Sequence, residues 1–473
     1  MIVMLPAIYL LSAAAICYLL CRRPRRFSIS SIPGPRSPSF LVGNYRDIFT
    51  AQAAEADLKW VREYGGVVRF KAPFGEDRLL ISDPKAIHHI FKQGYVWGIP
   101  LERRRISLVL AGPGLGYAEG EDHKRQKRVI NPGFGSQECR ALVPVFCAAA
   151  ASLVNKWRDL LSGSKDDSQV LNIPTWTSLA TLDALGHGGF NYDFGALKDN
   201  DNVLSTAYRN FFADIFSAPS DSTFVAERII SALPRRLALW LLENAPDPRL
   251  ARGRAARDVA TQVARELIEA KTKELRRGGG GNDVLSLLVK SNLSGNEWNR
   301  LTDEELLSQM QVMFIAGHEA TATTLSWTLL SLSKDPDIQT RLREEIRERE
   351  RQIIIEGRSH NGFTAEDFDG MPYLNAVVKE SLRYNTTAVH IPKMAREEDC
   401  IPLSASITLN NGEVINEISV EKGQKILLSV HGYHRSRAVF GDDAHIFKPQ
   451  RWLDTEESKT KTHTSSGGIY ANL

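Results

Sequence analysis

Residues 1–21 carry no charged side chain. As a helix they would reach about 31 Å, enough to cross a hydrocarbon core of roughly 30 Å. Arg22, Arg23, Arg25 and Arg26 follow at once. Positive charge after a long apolar run marks an anchor, whereas a cleaved signal peptide carries it before a shorter one, and the positive-inside rule holds the arginine end in the cytosol. Beyond this run the pattern changes. Residues 67–71 and 78–82 alternate as strands and predict a hairpin across Pro73-Phe74-Gly75. Asp83-Pro84 predicts an N-cap with proline at the first helical position. Helical periodicity runs through 141–161, 251–275 and 303–333. Short strands return at 405–409 and 412–415, around Asn410-Asn411-Gly412, and again at 425–430. No other stretch reaches the length of apolar sequence needed to span. The expected architecture is mainly α with small β-sheets: an anchor over 1–21, a basic and Pro-rich hinge over 22–38, and one large domain over 39–473.

Composition narrows the function classes. The 473 residues hold 59 basic and 56 acidic side chains, for a net charge of +3, which gives no drive toward nucleic acid. The five cysteines, Cys17, Cys21, Cys139, Cys147 and Cys400, contain no C-x-x-C pair, so neither a disulfide scaffold nor a paired-cysteine zinc cluster is expected. Cys17 and Cys21 read as apolar filler or lipidation sites. Ile32-Pro33-Gly34-Pro35 is a stiff turn, suited to setting the body's angle against a membrane. Gly112-Pro113-Gly114-Leu115-Gly116 mimics a dinucleotide loop, but the third glycine is missing and the proline removes an amide. Gly278 to Gly281 lacks the Lys-Ser/Thr of a phosphate loop and reads as a linker.

The chemistry-bearing motifs lie in the second half. Thr302-Asp303-Glu304-Glu305 is a capping box opening one long helix that ends near Lys334. In its middle, Ala316-Gly317-His318-Glu319-Ala320-Thr321 thins one side, so that either a flat group or another helix can approach, with Glu319 and Thr321 beside the gap. Glu380 and Arg383 stand at i, i+3, within reach of each other, and Phe447-Lys448-Pro449-Gln450-Arg451-Trp452 supplies an arginine that could join them. His123 precedes a basic cluster of Lys124, Arg125, Lys127 and Arg128.

In this order the motifs resemble the cytochrome P-450 superfamily, the heme-thiolate monooxygenases, in their microsomal form. The style of His123–Phe134 is similar to fungal members. The resemblance implies that Ala316 and Gly317 pass over a heme, and that Glu319 and Thr321 supply protons for dioxygen cleavage. The family's usual threonine falls at Ala320, one place earlier than Thr321. It further implies a buried structural network of Glu380, Arg383 and Arg451, and propionate contacts from His123, Lys127 and Lys393. Substrate contacts would come from 95–116, 208–217, 313–321 and 389–393. The implied partners are a small apolar substrate, O2, the endoplasmic reticulum membrane and a membrane-bound NADPH-dependent flavoprotein reductase, docking on Lys124 to Arg128.

One part of the pattern is missing. The family's axial cysteine follows the F-x-P-x-R-W segment, and no cysteine occurs after Cys400. The expectation is a chain that stops short of the heme loop and last helix, with no metal ligand of its own. His431, His434, His445 and His463 are poor substitutes, because imidazole lacks the electron push of a thiolate. The alternative reading is a heme-free, non-catalytic remnant.

Overall fold

In a computed structural model the described residues are 29–453, apart from short breaks at 165–167, 199–201, 210, 217–218, 282, 294–299 and 359–361. The expected anchor, the arginines at 22–26, His463 and the polar run from 455 lie outside them. The elements used below are α1 (Glu55–Tyr64), β1 (Val67–Ala72), β2 (Glu76–Ile81), α2 (Pro84–Lys92), β3 (Trp97–Gly98), α3 (Leu101–Ala111), α4 (Gly120–Ile130), α5 (Val143–Ser162), α6 (Ile173–Leu185), α7 (Pro248–Arg276), α8 (Asp303–Gly317), α9 (Glu319–Lys334), α10 (Pro336–Ile355), α11 (Pro372–Tyr384), β4 (His390–Ala395), β5 (Asp399–Thr408), β6 (Val414–Val420) and β7 (Lys425–Ser429).

The helices dominate, and the strands form a five-stranded sheet in the order β1-β2-β7-β4-β3 and a separate β5-β6 hairpin. The first hairpin is where alternation placed it, with Val67 opposite Ile81 and Ala72 opposite Glu76. Its turn needs positive φ at Phe74 (59°) and Gly75 (71°), and the Phe74 ring packs edge-on against Phe40. The Pro-Gly hinge is more than a linker. Arg69 N–H donates to Pro33 O at 2.9 Å, and a Cβ on Gly34 would lie 1.8 Å from Arg69 O, so only glycine lets this segment lie along β1.

Asp83 caps α2 as expected, accepting from Ala86 N–H at 2.9 Å, and also accepts from Ser404 N–H at 3.0 Å, which ties the helix to β5. The β5-β6 pair is longer than its alternation suggested, because Pro402 sits where the register slips before Ile407. A proline at a bulge hides the strand on its far side.

The largest apolar core lies between α3, α4, α6, α7 and α8, with Phe314 and Leu182 nearly sealed from solvent. Ser136–Ser162, which includes α5, is long and apolar enough to cross a membrane. Charged residues interrupt it at Glu138, Arg140, Lys156, Arg158 and Asp159, and the expected anchor at 1–21 lies outside the described residues. Here the apolar side of this stretch borders a cavity through Leu142, Phe146 and Leu153.

The expected single long helix over 303–333 is two. The capping box forms, with Glu305 N–H donating to Thr302 Oγ1 at 3.1 Å and Thr302 N–H to Glu305 Oε2 at 2.9 Å. The helix then breaks at His318 (φ −116°, ψ −48°). Side chains bond to the carbonyls on both sides of the break. Thr181 Oγ1 donates to His318 O at 3.1 Å and Thr177 Oγ1 to Ala322 O at 3.2 Å. The buried His318 ring binds Phe314 O through Nδ1 at 2.7 Å. Side chains that enter the carbonyl ladder bend a helix, and Gly317 beside the bend lowers the resistance.

Candidate functional site

The break between α8 and α9 borders a cavity of about 770 Å³, walled by α4, α5, α6, α8 and α9. Ala316, Gly317 and Thr321 line it together with Leu115, Met313 and Leu325. The walls are almost wholly apolar, which suits a flat apolar group or substrate. Gly317 also serves a helix crossing, since a Cβ there would lie 2.8 Å from Leu185 Cδ1. The close approach shown at this glycine is that of the Leu185 side chain.

Glu319 stands elsewhere. It lines a second cavity of about 700 Å³ with Ser205, Thr323 and Ser326. Two residues apart on a helix differ by roughly 200° around the axis. The acid and the hydroxyl expected side by side thus serve different faces, and Ala320 offers no hydroxyl between them. Burial, and after it the Glu319 carboxylate, hold the Tyr208 phenol far above its usual range. Burial pushes His318 down to about 4, so its ring is neutral at physiological pH.

The Glu380–Arg383–Arg451 trio is brought together. Arg383 forks onto Glu380 at 2.8 and 2.7 Å and donates to the carbonyls of His434, Ala444 and Ile446 at 2.6, 2.7 and 3.0 Å. Arg451 Nε reaches Glu380 Oε1 at 3.0 Å, and Trp452 Nε1 donates to Glu380 Oε2 at 2.9 Å. Glu380 and Arg383 are fully buried. Every lone pair direction of the carboxylate that folding strips of water is answered by a donor, the condition for a stable buried pair.

Of the cations expected at propionates, His123 and Lys127 share α4 and Lys393 is on β4. His123, on α4, contacts Tyr95 Oη through Nδ1 at 3.2 Å, and burial together with neighbouring Lys127 lowers its pKa. Lys127 is exposed. Lys393 Nζ, on β4, donates to Trp97 O at 3.4 Å and lies over the Phe91 ring. Burial alone lowers its pKa, and no carboxylate among the described residues is paired with it. A half-buried ammonium of this kind fits an anionic group such as a propionate. The basic cluster is only partly outward. Arg125 turns inward onto Glu305, and Lys124 pairs with Glu121 at 2.7 Å.

Three of the four histidines weighed as ligands, His431, His434 and His445, lie among the described residues. His434 is buried among Tyr433 and Phe440 and burial pushes it down to about 3. His431 is pushed down to about 4, and His445 is exposed with Nδ1 on Asp442 O at 3.1 Å. Cys400 is exposed on β5, with its thiol pushed up by burial. Sequence reasoning missed two groups here, the Thr177/Thr181 pair and the buried amides Gln126 and Gln309. The signal for Gln126 was its place on the helix face it shares with Val129 and Ile130, i+3 and i+4.

The family description "Cytochrome P450" matches residues 33–466. Cytochrome P450 monooxygenase 205 of Postia placenta is 32% identical over 458 residues, covering 94% of this chain and 80% of that protein. Cytochrome P450 monooxygenase claU of Ampulloclitocybe clavipes is 30% identical over 465 residues, with the same coverage of each chain. Both organisms are fungi, in line with the style of the 123–134 segment.

Proposed function

The chain belongs to the cytochrome P450 family, and on that premise we propose that it is a heme-dependent monooxygenase that inserts one atom of O2 into a small apolar molecule. Two electrons from a membrane-bound NADPH-dependent flavoprotein reductase and two protons reduce the other atom to water. The observation that carries the reading is the 770 Å³ apolar cavity walled by Ala316, Gly317 and Thr321. Ala316 and Gly317 would lie against one face of the heme, while His123, Lys127 and Lys393 would hold its carboxylates. The heme, when bound, supplies the activation of O2. Thr321 can hold a proton at its hydroxyl on the cavity side. Glu319 can exchange protons only from the opposite side of α9, so any relay between them has to pass the helix break at His318. Residues 1–21 would anchor the body on the cytosolic face of the endoplasmic reticulum, and exposed Arg128 is left of the Lys124–Arg128 cluster for reductase docking.

The test is turnover of the full-length protein in membranes with reductase, NADPH and 18O2, against a panel of apolar molecules. One 18O per product molecule is expected. Electron transfer and O2 consumption with no label in any organic product would refute the reading.

A further inference from the structure

The run Gly112-Pro113-Gly114-Leu115-Gly116, first set aside as a dinucleotide mimic, has a different use. It leaves the end of α3 and lies directly on α8. Gly112 has φ +70°, and a Cβ there would come within 2.2 Å of Ser308 Oγ. One on Gly114 would come within 3.0 Å of the Ser308 backbone. Only glycine permits this approach.

Two amides, each about 1% exposed, then fasten the run. Leu115 N–H donates to Gln309 Oε1 at 3.2 Å. Gln309 Nε2 donates to Gln126 Oε1 at 2.7 Å. Gln126 Nε2 donates to Pro113 O at 2.9 Å and to Glu305 Oε1 at 3.0 Å. Glu305 is itself held by its capping box and by Arg125. The chain of bonds thus joins α4, the glycine run and α8, and Leu115 and Gln309 both line the 770 Å³ cavity.

We propose that the Gln126–Gln309 pair is a positioning clamp that makes the Leu115 loop a rigid wall of this cavity. The spacing of α4 and α8, set by the two amides, then fixes where Leu115 stands, and an incoming molecule has to fit that wall rather than displace it. A buried amide chain of this kind is rigid because releasing one member strands the next. The proposal builds on the cavity reading but its test needs no heme and no turnover, so an inactive protein leaves it testable.

The experiment is hydrogen exchange of the fragment spanning residues 112–118 in the full chain. Gln309→Leu is expected to speed exchange at Leu115 about tenfold, the size of effect that one lost buried hydrogen bond produces. Gln311→Leu is the control. It removes a buried amide of the same helix that donates instead to Thr261 Oγ1 at 2.6 Å, so it costs stability without reaching the loop. Gln309→Glu, which keeps an acceptor for the Leu115 amide, should restore part of the protection. If Gln309→Leu fails to fold, Gln126→Met, which strands Pro113 O, carries the same expectation. Unchanged exchange at 112–118 in Gln309→Leu, or an equal rise in Gln311→Leu, would overturn the clamp.

Discussion

Two regions of the molecule treat their burdens in opposite ways. Around Arg383 the chain buries a full charge and answers it completely, with one carboxylate, three carbonyls and the flanking Arg451 and Trp452. Along α9 it does the reverse. Phe314, one turn before the break, is wholly buried, but Leu325, Trp327, Leu329 and Leu330 beyond it are 40–45% exposed. Leu325 and Leu329 border the 770 Å³ cavity, Trp327 and Leu330 the 700 Å³ one, and Ala322 alone of α9 is buried, so the helix is left open on more than one side. The charged region is a finished part of the fold. The apolar region is left open.

The sharpest way to break this contrast is Arg383→Ala. It removes the forked partner of the buried Glu380 carboxylate, leaving Arg451 and Trp452 on it, and a loss of about 3–5 kcal/mol is expected in denaturant unfolding. A loss under about 1 kcal/mol would show that the network is not the finished structure described.

Next comes pH. His318 and His431 are pushed down to about 4 and His434 to about 3, from an ordinary value near 6.5. In the folded state they refuse protons that the unfolded chain accepts. Their contribution to stability is therefore full above about pH 6.5 and is lost as pH falls toward 4. Buried carboxylates such as Glu76, lowered from 4.5 to about 2, begin to lose theirs only below about pH 4.5. Unfolding at pH 5 should thus be easier than at pH 7, and His318→Gln should shrink the difference. An unchanged difference in that variant would exclude His318 as a source.

A smaller effect is expected of Thr302→Ala, which opens the capping box of α8 and should cost about 1 kcal/mol by thermal unfolding. Smallest of all is Trp327→Ser on the open face, within about 0.5 kcal/mol of the parent. A large loss there would mean that the face is already packed, and the contrast would collapse.

Legibility in the sequence followed the range of the interactions. The hairpin at Pro73-Phe74-Gly75, the Asp83 cap and the Thr302 box depend on neighbours within a few residues, and each stands where its pattern put it. The Glu380–Arg383 pair was readable from i, i+3 spacing, and Arg451 from its place in a motif. The helix break was not, because Thr177 and Thr181 act on Ala322 and His318 across 145 and 137 residues of chain. The separation of Glu319 from Thr321 was readable, since it follows from helix geometry alone, but motif proximity hid it. Gln126 was hidden in a different way, as one polar letter in a helix otherwise dominated by surface charge.

The most direct test of the account is a titration of the purified full-length protein with hemin, followed by Soret absorbance. The account predicts saturable binding of one heme by the native protein and its loss in Ala316→Phe, whose ring would occupy the cavity wall. Absence of saturable binding by the native chain, or equal binding by both, would contradict it.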